Sequence, residues 1–221
     1  MEKNFKIAAS ILNADFSRLA EEIKKVESLG VDMIHIDIMD GHFVPNISIG
    51  PMVVKAINSV TSLPLDVHLM IENPDDYLEE FAIAGSDIIT VQLETCTHLY
   101  RTIQRIKELK VKPSVALNPA SLPEELEYIL ENIDMILIMT VEPGFGGQPF
   151  IPSMLKKIKK TKEIIKNKGL NIDIEVDGGI KRVNIEKVRD AGANIFVLGT
   201  EIFKNNDYAA VITDVKEKLF K

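Results

Sequence analysis

The sequence predicts a single (β/α)8 TIM barrel, and three observations carry that reading. A short apolar run, a few turn residues and a longer amphipathic segment recur along the chain, with eight apolar runs in all. Strand followed by helix, repeated, calls for a parallel sheet with right-handed crossovers. The length of 221 residues is near the ~250 typical of closed barrels of this type. The rival, an open doubly wound sheet, would normally carry a glycine-rich turn after its first strand, and "AASILNADF" has none.

Taken in order, "KIAAS" (6–10) is the first strand. "DFSRLAEEIKKVESLG" follows as a helix, with Phe16, Leu19, Ile23 and Val26 on one face and Gly30 as its stop. "MIHID" (33–37) and "PLDVHLM" (64–70) are the second and third strands. "NPDDYLEEFAIAG" reads as a helix entered at Asn73, with Pro74 in the first turn. "IITVQ" (88–92), "PSVALN" (113–118) and "MILIMT" (135–140) are strands four to six. The lysine-dense "LKKIKKTKEIIKNKG" (155–169) keeps Leu155, Ile158, Ile164 and Ile165 at helical spacing, so its lysines form the solvated face of a helix. "IDIEVD" (172–177) and "IFVLG" (195–199) complete the set. No linker, low-complexity tract or shift in composition marks a second domain, so residues 1–221 are expected to form one catalytic barrel.

Composition narrows the function. Hydrophobic residues at 46% and charged ones at 27% are ordinary for a globular protein. A net charge of -7 and a pI near 5.2 disfavour nucleic acid and anionic membranes, which need clustered cations. One cysteine, Cys96, excludes an internal disulfide and fits a reducing compartment. "MEKNFKIAAS" has no long apolar core and no apolar run reaches ~18 residues, so neither a signal peptide nor a membrane span is expected. A cytoplasmic protein is the expectation.

In a barrel, catalytic residues sit at the C-terminal ends of several strands. Side chains alternate along the second strand, so His35, Asp37 and Met39 share one face, and Ile34, Ile36 and Ile38 the other. The isoleucines suit the layer beneath the helices, which turns His35 and Asp37 inward, where an unpaired charge is costly. "DVHLM" places His68 and Met70 in the same relation, and "EVDGG" puts Asp177 at the lip of strand seven. Two histidines and two carboxylates from three strands are a donor set for one divalent metal: zinc, iron, manganese or cobalt. Past the strand, in "MDGHFVPN", Asp40 is expected to bond the turn backbone and His42 to shape or cover the entrance.

Glycines form a second cluster at "EPGFGGQPF" (142–150), "DGG" (177–179) and "LGTEIF" (198–203). Glycine lets backbone amides approach an anion, and the loops after strands seven and eight often build a phosphate site. Gly146, Gly147, Gly178, Gly179, Gly199 and Thr200 are the candidates. Met39, Met70 and Met139 end their strands alike, either as core filling or as a polarizable wall that excludes water.

"SILNADF", "HIDIMDGHFVPN", "PLDVHLMIENP", "EPGFGGQPFIP", "IEVDGGI" and the closing "VLGT" together resemble the ribulose-phosphate 3-epimerase family, over about Ser10 to Phe203. The resemblance implies an isomerase of the pentose phosphate pathway that interconverts D-ribulose 5-phosphate and D-xylulose 5-phosphate through an enediolate. It implies one catalytic divalent metal on His35, Asp37, His68 and Asp177, with Asp37 and Asp177 also the acid/base pair. It places Ser10 against the substrate, and its phosphate against Gly144, Phe145, Gly146, Gly147, Gly178, Gly179, Gly199 and Thr200. His68 and the methionines Met39, Met70 and Met139, from their strand-end positions, are the other expected substrate contacts. The partner is then a phosphorylated ketose, and a homo-oligomer is expected. Gln92 stands where the family usually has histidine, Thr200 where serine is more usual, and Glu142 for a frequent asparagine. "MTVEPGFGGQPFIP" and "GT" are also similar to D-allulose-6-phosphate 3-epimerase, which would perform the same inversion between allulose 6-phosphate and fructose 6-phosphate.

Overall fold

The structure, a computed structural model, describes residues 5–221. Residues 1–4, which belong to the expected domain and to the N-terminal stretch read for a leader, lie outside the described residues. Eight strands close into a parallel barrel in the order β1-β2-β3-β4-β5-β6-β7-β8. They are β1 (Lys6–Ser10), β2 (Met33–Met39), β3 (Leu65–Met70), β4 (Ile88–Gln92), β5 (Lys112–Leu117), β6 (Met135–Met139), β7 (Asp173–Asp177) and β8 (Ile195–Leu198). β1 closes the ring by pairing with both β2 and β8.

Around the strands run α1 (Leu19–Ser28), α2 (Pro51–Asn58), α3 (Leu78–Ala84), α4 (Leu99–Glu108), α5 (Met154–Asn167), α6 (Ile185–Ala191), α7 (Thr200–Phe203) and α8 (Tyr208–Phe220). Between sheet and helices lies the main apolar layer, which includes Ile34, Ile36, Ile38, Val67, Leu69, Ile103, Ile158, Ile165 and Val215. The lysine-rich face of α5 stays outside while Ile158 and Ile165 are buried, as helical spacing demands. Inside the barrel, Ala8, Met33, Ile88, Met135, Ile195 and Val197 fill the lower layer. No helix among the described residues is long and apolar enough to cross a membrane.

Three local departures have physical causes. Phe16 is 46% exposed instead of lying on the buried stripe with Ile23 and Val26. Residues Phe16–Arg18 form a separate 3-10 turn capped by the Asp15 carboxylate, and its tighter winding rotates Phe16 off the face of α1. The helix expected from Pro74 is likewise divided into a 3-10 turn, Pro74–Asp76, and α3, and the Asn73 side chain caps neither. Between β5 and β6 there is no α-helix, only the 3-10 turns Pro123–Leu126 and Leu130–Asn132. They still bury Leu126, Ile129 and Leu130 against the barrel, so its apolar coat remains continuous.

Phe81 of α3 is 1% exposed and among the largest fully buried side chains. Phe81→Ala should cost about 3–5 kcal/mol of stability through lost burial and the cavity left behind. Urea unfolding followed by circular dichroism measures this, and a loss under ~1 kcal/mol would mean that the site collapses around the gap.

Candidate active site

The parallel register sets the polar residues in line across neighbouring strands. Ser10 pairs with His35, His35 with Asp66, Asp37 with His68, and Met139 with Asp177. Because alternate residues face inward, these side chains converge just inside the C-terminal mouth. His35, Asp37, His68 and Asp177 each bring one ligand atom within 4.8 Å of the others.

Asp37 is at the centre. Its Oδ1 lies 3.3 Å from both His35 Nε2 and His68 Nδ1, and its Oδ2 accepts a hydrogen bond from Ser10 Oγ at 2.9 Å. The Ser48 hydroxyl donates to the Asp37 carbonyl at 2.6 Å and accepts from the Met39 amide at 2.9 Å, clamping the strand end. His35 Nδ1 is 2.6 Å from Asp66 Oδ2, and a carboxylate can only accept there, so this nitrogen carries the ring proton. The opposite nitrogen, Nε2, is buried and has no hydrogen-bond partner. In a neutral ring its lone pair faces the Asp37 carboxylate, an arrangement that calls for positive charge between them.

A proton is one way to supply that charge. Burial works against an imidazolium at His35, but the Asp37 and Asp66 carboxylates outweigh it and raise its pKa well above the usual histidine range. A divalent cation is the other, and the donors suit one: two imidazole nitrogens and two carboxylates, with the orphaned Nε2 aimed among them.

The two catalytic candidates are pushed in opposite directions. Burial raises the pKa of Asp37, yet the neighbouring His35 and His68 overcome this and hold it far below the usual carboxylate range. At Asp177, burial and then the negative charge of Asp37 raise the pKa to about 6. Paired acids driven apart in this way commonly divide the roles of base and acid.

Beneath the cluster lies a layer that sequence reading missed. Asp66 and Glu175 are fully buried beside His35, with Glu175 Oε1 3.7 Å from its Nδ1. Burial and the neighbouring Asp66 keep Glu175 protonated well above the ordinary range. The signal was there: Asp66 and Glu175 stand two residues before His68 and Asp177, and period-two alternation puts each pair on one face.

Above the cluster opens a cleft lined by Ser10, Asp37, Asp177 and all three methionines Met39, Met70 and Met139. His35 and His68 are fully buried and meet the cluster from below the open space. Met39 and Met70 pack with Val44, Leu12 and Phe43, whereas Met139 belongs to a separate patch with Ala116 and Leu137.

Gly144, Phe145, Gly146, Gly147, Gly178, Gly179, Gly199 and Thr200 surround the far side of the cleft. Gly179 has φ +65°, and a Cβ there would meet Phe150 N at 2.5 Å, so the lip of β7 lies directly against the β6 loop backbone. Asn13, which carried no sequence signal, lies among these loops, and its Oδ1 accepts from Thr200 Oγ1 at 2.9 Å.

Asp40 shapes the entrance, as expected. Its Oδ1 accepts from the amides of His42 and Phe43, and its Oδ2 from that of Glu72 at 2.8 Å. The loop it organises reaches across the mouth, where Asn46 Nδ2 donates to Gly144 O at 2.8 Å and Val44 packs against Gly144. His42 is on the outside of this loop, 72% exposed.

Comparison with known proteins adds an independent finding. A family model described as the ribulose-phosphate 3 epimerase family matches residues 6–203. The chain is 52% identical to ribulose-phosphate 3-epimerase of Bacillus subtilis, over 96% of this chain and 98% of that one. It is 45% identical to the Escherichia coli K12 protein of that name, over 99% and 98% of the two chains. Among solved structures, a tryptophan synthase alpha-subunit from Pyrococcus furiosus matches 98% of both chains at a TM-score of 0.72 and 16% identity. Orotidine 5'-phosphate decarboxylase from Pyrococcus horikoshii matches 97% of this chain and 99% of its own at a TM-score of 0.72 and 14% identity. These structural likenesses concern the barrel alone.

The raised pKa of Asp177 has a consequence for stability. An unfolded aspartate releases its proton near ~3.9, whereas the folded chain holds this one to about pH 6. The folded state therefore binds the extra proton between those values, and its advantage is lost as pH rises through that window. With chelator present, the melting temperature of the unmodified protein should fall relative to Asp177→Asn between pH 4 and pH 7. A constant difference between the two proteins would contradict the raised pKa.

Proposed function

The chain belongs to the ribulose-phosphate 3-epimerase family, and on that premise we propose that it inverts C3 of D-ribulose 5-phosphate to give D-xylulose 5-phosphate, and the reverse. The family makes it an epimerase, an enzyme of the isomerase class. The observation that carries the mechanism is the carboxylate pair Asp37 and Asp177, which approach one cleft from β2 and β7.

Inverting a carbon beside a ketone requires taking a proton from one face and returning one to the other. A single base would return it to the face it left. Asp37 and Asp177, which reach the cleft from β2 and β7, are suited to remove the C3 proton and to deliver one to the opposite face. In the reverse reaction the two exchange roles. The Ser10 hydroxyl, donating to Asp37 Oδ2, orients the base and leaves Oδ1 towards the histidines.

His35, Asp37, His68 and Asp177 would hold one divalent cation: zinc, iron, manganese or cobalt. Such a cation supplies positive charge to the substrate oxygens as an enediolate develops. Met39, Met70 and Met139 exclude water from that intermediate. Backbone amides at Gly144–Gly147, Gly178, Gly179, Gly199 and Thr200 hold the phosphate, which suits a protein of net charge -7. The reading extends to a cytoplasmic homo-oligomer.

Asp37→Asn and Asp177→Asn should each lower turnover by at least ~10²–10⁴-fold while circular dichroism shows the fold retained. Wild-type-like turnover in either variant contradicts the two-carboxylate mechanism. Substrate turned over in deuterated water should acquire deuterium at C3, and product without it would exclude this proton exchange. Comparing kcat/KM on D-ribulose 5-phosphate and D-allulose 6-phosphate tests the sugar. The pentose should be preferred, and the opposite order would assign the hexose, to which Gln92, Thr200 and Glu142 give a specific motive.

A further inference from the structure

Gln92, the last residue of β4, is fully buried beside the cluster. Its amide Nε2 lies 2.9 Å from His68 Nε2, while its Oε1 is buried without a partner. The other nitrogen of His68, Nδ1, faces Asp37 Oδ1 at 3.3 Å. A neutral imidazole offers one donor and one acceptor, so the partner of Nε2 decides what Nδ1 can do.

With the amide nitrogen towards the ring, Nε2 accepts, the ring proton sits on Nδ1, and Nδ1 has no lone pair to give a metal. Turning the amide by half a turn puts Oε1 where Nε2 was, without changing the shape of the side chain. His68 then donates from Nε2 to Oε1, and Nδ1 directs its lone pair at the cluster. That second orientation alone is compatible with a cation on Nδ1. It also gives Oε1 a hydrogen bond, and leaves the amide nitrogen in the place where Oε1 had no partner.

We propose that Gln92 is a positioning residue, whose amide swivels to hold the His68 proton on Nε2 and so presents Nδ1 to the metal. The inference rests on reading His68 as a metal ligand. A neutral amide suits the place, because Asp37, Asp66, Glu175 and Asp177 already crowd carboxyl groups around the two imidazoles. A carboxylate at position 92 would add another charge to them, and an apolar side chain would leave the Nε2 proton without an acceptor.

The test uses the full chain, stripped and reloaded with zinc, with its histidines labelled by ¹⁵N. Long-range ¹H–¹⁵N spectra report which ring nitrogen carries the proton. His68 should be protonated on Nε2 in the zinc-loaded protein, and a proton on Nδ1 would overturn the proposal. Chelator competition should show Gln92→Leu binding zinc about 10–100-fold more weakly than the unmodified protein. Gln92→Glu, which keeps an acceptor oxygen, should keep the Nε2-protonated ring even if Gln92→Leu fails to fold. Tight zinc binding by the unmodified protein and equally tight binding by Gln92→Leu would remove the role of Gln92 alone. No zinc binding by the unmodified protein would overturn the metal reading, and this role with it.

Discussion

The barrel depends on one demand: a carboxylate buried inside it, Asp37, must be matched by positive charge. A closed parallel sheet has no solvent on its inner face, so every charge placed there has to find its partner within the ring. Asp37 meets two imidazole nitrogens at equal distance, and each imidazole is in turn held from behind. Asp66 holds His35, and Gln92 holds His68. The lower barrel, filled by Ala8, Met33, Ile88, Met135, Ile195 and Val197, supports this polar layer from below. Fold and site are thus one packing problem: the layers that close the barrel also orient its reactive groups.

The loops solve a different problem. They leave the strand ends with backbone groups to satisfy and a cleft to keep small. Asp40 satisfies the β2 loop and ties it to the start of the next, while Ser48 returns to the end of β2. On the far side, glycines let the β6 loop lie flat against β7, with a contact at Gly179 too close for any side chain. The cleft is lined by the methionines Met39, Met70 and Met139 and by the glycine-rich loops after β6, β7 and β8.

Much of this is legible in the sequence because the strands are buried on both faces and appear as short, mostly apolar runs whose few polar residues mark the site. All eight runs correspond to strands, and β2 extends two residues past its run, to Met39. Alternation then brings His35, Asp37, His68 and Asp177 together, which the structure places within one cluster. The same rule would have reached Asp66 and Glu175, but they occur early in their strands, below the ends where reactive groups are sought. Periodicity says nothing about Asn13, whose place comes from a 3-10 turn after β1 and a partner 187 residues away, Thr200. It also misplaced Phe16, because a helical stripe cannot show that its first turn is wound as 3-10.

The hydrogen bond from Asn46 to Gly144 joins loops whose bonded residues stand 98 positions apart into a single lip over the cleft. Neither loop can swing outward alone: moving one either breaks that bond and pulls Val44 from Gly144, or carries the other along. The two distant chain segments are thereby held as one edge of the cleft. That edge is built from residues outside the His35, Asp37, His68 and Asp177 cluster, so the mouth and the polar layer beneath it are separate parts of the sequence.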